Sequence, residues 1–117
     1  MIKAEVARNT AGQVVAFSVK NHGASHVCAA VSLLVINTVN SIEALTQAVF
    51  SCDHNPAGGF IAFALQTPRE ALQGRTAGLL LDAMHLGLVS VQEQYPKQLV
   101  VCEVATVPVA SNGPYKQ

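Results

Sequence analysis

Alternation opens the chain. Ile2, Ala4 and Val6 alternate with Lys3, Glu5 and Ala7, and after Asn9-Thr10-Ala11-Gly12 a second extended run follows, Val14 to Val19. Period-two patterning on both sides of a turn-forming stretch predicts a β-hairpin. From Val27 the period lengthens, with the buried stripe falling at positions 31, 34, 35, 38, 42, 45 and 49, the spacing of a long helix with one face inward. Phe50-Ser51-Cys52 reads as a short strand, the stretch from Asn55 to Gly59 as a turn, and Phe60 to Leu65 as a firmer strand, so a second hairpin is expected. Thr67-Pro68-Arg69-Glu70 has the form of a helix start: threonine as N-cap, proline at the first helical position and glutamate three residues after the threonine. It predicts a second long helix with Leu72, Thr76, Leu79, Leu80, Ala83 and Leu86 buried, ending at Tyr95 before Pro96. Leu99 to Val104 makes the last strand. The order ββαββαβ fits a two-layer α+β sandwich, with both helices on one face of a mixed or antiparallel sheet. One domain is expected over residues 1–108, with 109–117, including Ser111-Asn112-Gly113-Pro114, as a disordered tail.

Composition narrows the partners. A chain of 117 residues with 50% hydrophobic content suits a single core. Seven basic and seven acidic side chains cancel, so no broad positive field is available to hold nucleic acid or an anionic membrane. The longest apolar stretches are interrupted by Ser32, Asn37 and Asn40, or by Asp82 and His85, and fall short of the roughly 18 uninterrupted residues of a membrane span. The start does not join a basic end to an apolar core as a secretory signal does, and a cytoplasmic protein is the expectation. Only 12% of residues are charged, a surface that would expose apolar patches in a monomer and that points to a homo-oligomer. Cys28, Cys52 and Cys102 are odd in number and widely spaced, which reads as free thiols.

The candidate chemistry lies in NHGASHVCAAVSLL, residues 21–34. With Ser25 as N-cap, Cys28 falls at the third helical position, where unsatisfied N–H groups and the helix dipole favour a thiolate. A cysteine nucleophile needs a base, and two histidines are near. His26, two residues away, points to the other side of a helical turn, whereas His22, before the cap, can fold back over the helix end. Ser32 lies four residues after Cys28 on the same face, and the amides of Cys28 and Ala29 are candidate donors for the oxyanion of an acyl transfer. Two other readings stand beside this one. A cysteine opening an apolar helix can simply pack, and a mid-helix serine can bond its own backbone. Alternatively, His22, His26 and Cys28, with Cys52 and His54, could supply a zinc site, although their spacing matches no paired-ligand pattern. His54 beside Asn55-Pro56 reads as a turn residue, Asp53 as a solvated one, and His85 as an edge residue of the second helix. The Gly58-Gly59 pair serves a turn or a close substrate approach, and Asn21 and Gly23 serve unusual backbone angles around His22.

VCAAVSLL, preceded by a loop histidine at the end of a second strand, resembles the bacterial ribosomal-processing cysteine protease family, Prp. The asparagine-rich first helix, INTVNSIEAL, the Gly-Gly hairpin and a long second helix ending near a tyrosine extend the resemblance over the ordered chain. It implies a cysteine endopeptidase, needing no cofactor and no metal, that removes the N-terminal extension of large-subunit ribosomal protein number twenty-seven during ribosome assembly. Cys28 would be the nucleophile and His22 the general base, with Ser32 assisting. Homodimers are also implied. The chain departs from the family pattern where Asn21-His22-Gly23 replaces Gly-His-Ala, where the histidine-to-cysteine loop is shorter, and where Ser25 stands at the place of an aspartate. The alternative from another class is a non-catalytic, dimeric peptide- or ribosomal-protein-binding module of the same fold.

Overall fold

The computed structural model describes residues 1–55, 57 and 59–107; the expected disordered tail, 109–117, lies outside the described residues. Seven elements follow in the expected order: β1 (Ile2–Arg8), β2 (Val14–Lys20), α1 (Ser25–Leu45), β3 (Phe50–Asn55), β4 (Phe60–Leu65), α2 (Leu72–Gln94) and β5 (Leu99–Glu103). The strands form one mixed sheet in the order β3-β4-β2-β1-β5, with β5 parallel to β1 and all other pairs antiparallel. The first hairpin is closed by Asn9, whose Oδ1 accepts from Ala11 and Gln13 N–H, and by Gly12 at φ +79°. Pairing sets Val6 opposite Phe17, Phe17 opposite Phe63, and Val19 opposite Ile61, so one sheet face is a continuous apolar surface. That face, Val27, Val31, Val35 and Ile42 of α1, and Ala77, Leu81, Met84 and Leu88 of α2 make a single core, with both helices on the same side. Phe17, Phe63 and Phe50 stack in its centre at 5.3 and 5.0 Å.

Four expectations are corrected. The stripe assigned to α1 overshoots: the helix stops at Leu45, which is 71% exposed, and Val49 lies beyond it, 43% exposed. Helix α1 is nevertheless long and apolar enough to cross a membrane by length and composition, so its polar interruptions do not separate it from a span. Its buried stripe is part of the common core.

Helix α2 begins at Leu72 rather than beside Thr67. Long-range partners claim the local signal: Thr67 Oγ1 accepts from Val49 N–H at 2.8 Å, and Thr67 N–H donates to the Val49 carbonyl, which ties the chain to β3 instead of opening a helix. Arg69 turns inward, only 8% exposed, donating to the Val14 carbonyl at 2.7 Å and to both carboxylate oxygens of Asp82.

The face buried by α2 is also not the one that carries Leu72, Leu79 and Leu86. Gly74, Ala77, Gly78, Leu81, Met84 and Leu88 are buried, whereas Leu72, Leu79 and Leu86 are 71%, 68% and 70% exposed. Small residues decide this by allowing close approach. A Cβ on Gly74 would overlap the Pro68 carbonyl oxygen, and one on Gly78 would overlap the Arg69 guanidinium. Gly74→Ala should therefore lose about 2 kcal/mol despite the better helix propensity of alanine, because rigid backbone must move. Gly87→Ala meets only the flexible end of Leu34 and should stay within about 1 kcal/mol of wild type. Chemical denaturation of the two variants measures the difference; equal midpoints would contradict this packing.

Candidate active site

Antiparallel pairing of β1, β2, β4 and β3 brings the starts of β1 and β4 to the same sheet end as the finishes of β2 and β3. The chain leaves β2 there at Lys20, passes His22 and enters α1 at Ser25. Asn21 makes the turn at φ +74°, a left-handed conformation that asparagine tolerates and β-branched residues do not. Gly23 has no positive φ; it is needed for space, because a Cβ would sit 3.0 Å from Gln98 Oε1 and 3.2 Å from Ile2.

A cavity of about 180 Å³ opens at this sheet end, between the sheet and α1. Ile2, Val19, Val31, Val35, Phe60 and Ile61 give it apolar walls, and His22, Cys28, Ser32 and His54 supply the polar groups. The structure thus brings together three of the four residues singled out from sequence, Cys28, His22 and Ser32. Cys28 is half-buried, while the His22 side chain is exposed and its ring lies over Gly59. Among the described residues, no hydrogen bond joins the His22 ring to the sulfur. Such contacts are often loose before substrate binds. Ser32 does not bond back to its own helix, as Thr38 does to the Leu34 carbonyl; among the described residues its hydroxyl is unpaired and stands at the cavity.

The cap and the oxyanion donors differ from expectation. Ala24, not Ser25, is the N-cap, at φ −57° and ψ 143°, and no side chain caps the helix. Cys28 therefore sits one position deeper than expected, its N–H bonded to the Ala24 carbonyl at 2.9 Å. Ala29 is exposed in the next turn of a helix starting at Ser25, where the ladder takes its amide. Neither amide is available to an oxyanion. The main-chain donor that does reach the sulfur is Gly23 N–H, at 3.2 Å from Sγ, and Sγ in turn lies 3.4 Å from the Gly23 carbonyl.

His26 packs edge-on against Tyr95 at 5.3 Å, and it is His22, not His26, that lines the cavity. His54 is not the expected turn residue but a cavity residue: β3 runs to Asn55, and pairing of His54 with Ile61 sets it on the helix-facing side. The signal was available, since His54 continues the period-two face of Phe50 and Cys52, but the polar run Asp53-His54-Asn55 hid it. Gly59, at φ +63° against the His22 ring, is the second missed residue. Among the described residues no three of His, Cys, Asp or Glu come close enough together to hold a metal ion, so His22, His26, Cys28, Cys52 and His54 form no such cluster.

The thiols are not equivalent. All three are free, and Cys52 has its pKa pushed up to about 11, by burial first and then by the negative charges of Asp53 and Glu43. At pH 8 only about one part in a thousand of Cys52 is thiolate, so iodoacetamide should label Cys28 well ahead of it, as peptide mapping would show. Cys52 keeps its proton in the folded state above the ordinary thiol value of 9.0, so its contribution to stability is complete below pH 9 and is lost as pH rises to about 11. The reverse slope in a pH series of unfolding midpoints would contradict this.

A sequence model for the family described as cysteine protease Prp matches residues 1–100. The chain belongs to this family of cysteine proteases. The fold agrees. A ribosomal-processing protease Prp from Staphylococcus aureus, solved with a covalently linked product peptide, superposes with a TM-score of 0.80 at 23% identity, covering 89% of this chain and all of that one. The same protease with a substrate peptide gives 0.79 at 21% identity, again over 89% of this chain and all of that one. SMU.848 from Streptococcus mutans gives 0.76 at 25%, over 89% of this chain and 97% of that one. No functionally curated protein sequence matches significantly. Within the Prp family, the site that these residues can form is one thiol, the imidazoles of His22 and His54, and an apolar cleft.

Proposed function

We propose that this Prp-family chain is an endopeptidase that uses Cys28 and His22 to remove the N-terminal extension of a ribosomal protein, number twenty-seven of the large subunit. The observation that carries the reading is the placement of Cys28 Sγ, in contact with the Gly23 amide, and His22 around one apolar cavity at the open sheet end. His22 takes the thiol proton, and the sulfur attacks the scissile carbonyl carbon. The C–N bond breaks as His22 returns that proton to the leaving amine. Water, deprotonated by His22, then attacks the thioester and releases the acid and the free thiol. Ser32, free to turn its hydroxyl into the cavity, supports the bound peptide or the sulfur. That Staphylococcus aureus Prp was captured with a substrate peptide and with a covalently linked product supports a peptide substrate and a covalent route. The test is mass-spectrometric detection of cleavage at one bond in the ribosomal protein carrying its extension. An intact substrate after prolonged incubation with freshly reduced protein would overturn the reading.

The protein acts as a homodimer in the cytoplasm under the same proposal. The outward Leu72, Leu79 and Leu86 recur at seven-residue spacing on α2, so a second copy related by a two-fold axis through Leu79 would set Leu72 against Leu86. The low charge content favours such burial. Light scattering on Leu79→Lys should report a monomer where the wild type is a dimer; an unchanged mass would place the interface elsewhere.

A further inference from the structure

We propose that Gln98 is a positioning residue that holds the short His22–Cys28 loop in its working conformation. The inference rests on Cys28 and His22 being the reactive pair. Helix α1 starts without any side-chain cap, since its N-cap is alanine and Ser25 makes no capping bond. The four loop residues, 21–24, therefore need an outside anchor, and a residue 74 positions away in sequence provides it: Ala24 N–H donates to Gln98 Oε1 at 2.8 Å. Because the partner is a donor, it is the amide oxygen of Gln98 that faces the loop.

Gln98 is itself fixed on both sides. Its N–H donates to the Tyr95 carbonyl at 2.9 Å, at the end of α2, and its carbonyl accepts from Ile2 N–H at 2.9 Å, at the start of β1. Its Oε1 and the Ile2 side chain also occupy the space where a side chain on Gly23 would go. Two successive peptide groups are thus set at once, the Ala24 N–H on Gln98 and the Gly23 N–H on the sulfur. His22 is the residue immediately before them. Removing the acceptor frees the Ala24 amide, and rotation there swings the Gly23 donor off Sγ and shifts the His22 ring.

The test compares Gln98→Leu and Gln98→Met, which keep bulk without the oxygen, with Gln98→Glu, which keeps an acceptor for Ala24. In the first two, hydrogen exchange of the Ala24 amide should quicken about tenfold, the worth of one lost hydrogen bond. Cleavage should lose about tenfold in kcat with KM within about twofold, since orientation of reacting groups rather than peptide binding is impaired. Gln98→Glu should restore both the Ala24 protection and most of kcat. A structural role alone would lower the unfolding midpoint of all three without this split. Unchanged Ala24 exchange, or quickened exchange with unchanged kcat, overturns the proposal. Should the wild type cleave no ribosomal substrate, iodoacetamide reaction at Cys28 still decides: slowing of threefold or more in Gln98→Leu supports the anchor, and an equal or faster rate overturns it.

Discussion

Cys28→Ala is expected to abolish peptide cleavage, with a loss of at least ~10⁴-fold, because among the described residues no second thiol stands at the cavity to replace the attacking sulfur. The fold should survive. Only a half-buried sulfur at the edge of the core is removed, whose hydrogen-bond partners are the N–H and carbonyl of Gly23, and the core residues Val27 and Val31 beside it are untouched. The stability cost should be about 1 kcal/mol, read from chemical denaturation. Cys52→Ala and Cys102→Ala should leave turnover within about twofold, since neither lines the cavity. Retained cleavage in Cys28→Ala would place the chemistry elsewhere.

Gly59→Ala should also impair turnover, although residue 59 carries no functional group. Its φ of +63° is a conformation that alanine adopts only at a cost of about 1 kcal/mol, and the new methyl would occupy the space of the His22 ring, meeting Nε2, Cε1 and Cδ2. The imidazole must leave its position. Loss of a placed general base is worth about 10²- to 10⁴-fold, so kcat should fall by about 10²-fold or more while the protein stays folded. Asn21→Gly, which keeps the positive φ one residue before His22, should by contrast retain activity within a few-fold. If Gly59→Ala turns over at the wild-type rate, His22 does not work from where its ring lies against Gly59.

The sequence made the strand-rich frame legible because each hairpin carries its instructions locally: the Asn9-to-Gly12 turn, and the apolar run from Phe60 to Leu65. The failures have one physical origin, which is that long-range partners compete with local signals. Thr67 has everything a helix cap requires, yet its hydroxyl is worth more on the Val49 amide. Leu72, Leu79 and Leu86 form a regular leucine stripe on α2, yet Gly74 and Gly78 let the opposite face come closer to Pro68 and Arg69. Hydrophobic pattern does not register closeness of approach. At the site, Cys28, His22 and Ser32 could be grouped because helix spacing and one short loop relate them. His54, Gly59 and Gln98 could not, because only sheet register and the packing of the α2–β5 turn bring them to the same end of the molecule.

The central claim is that Cys28 is the thiol that attacks a peptide bound in the cavity it shares with His22. The most direct measurement is mass spectrometry of the protein after reaction with a chloromethyl ketone of the peptide that precedes the cleaved bond. One adduct per chain is expected, mapped to Cys28, slowed by excess uncleaved substrate and slowed again in His22→Ala. Label on Cys52 or Cys102 at a comparable rate, or an unlabelled Cys28 in protein that still cleaves, would contradict it.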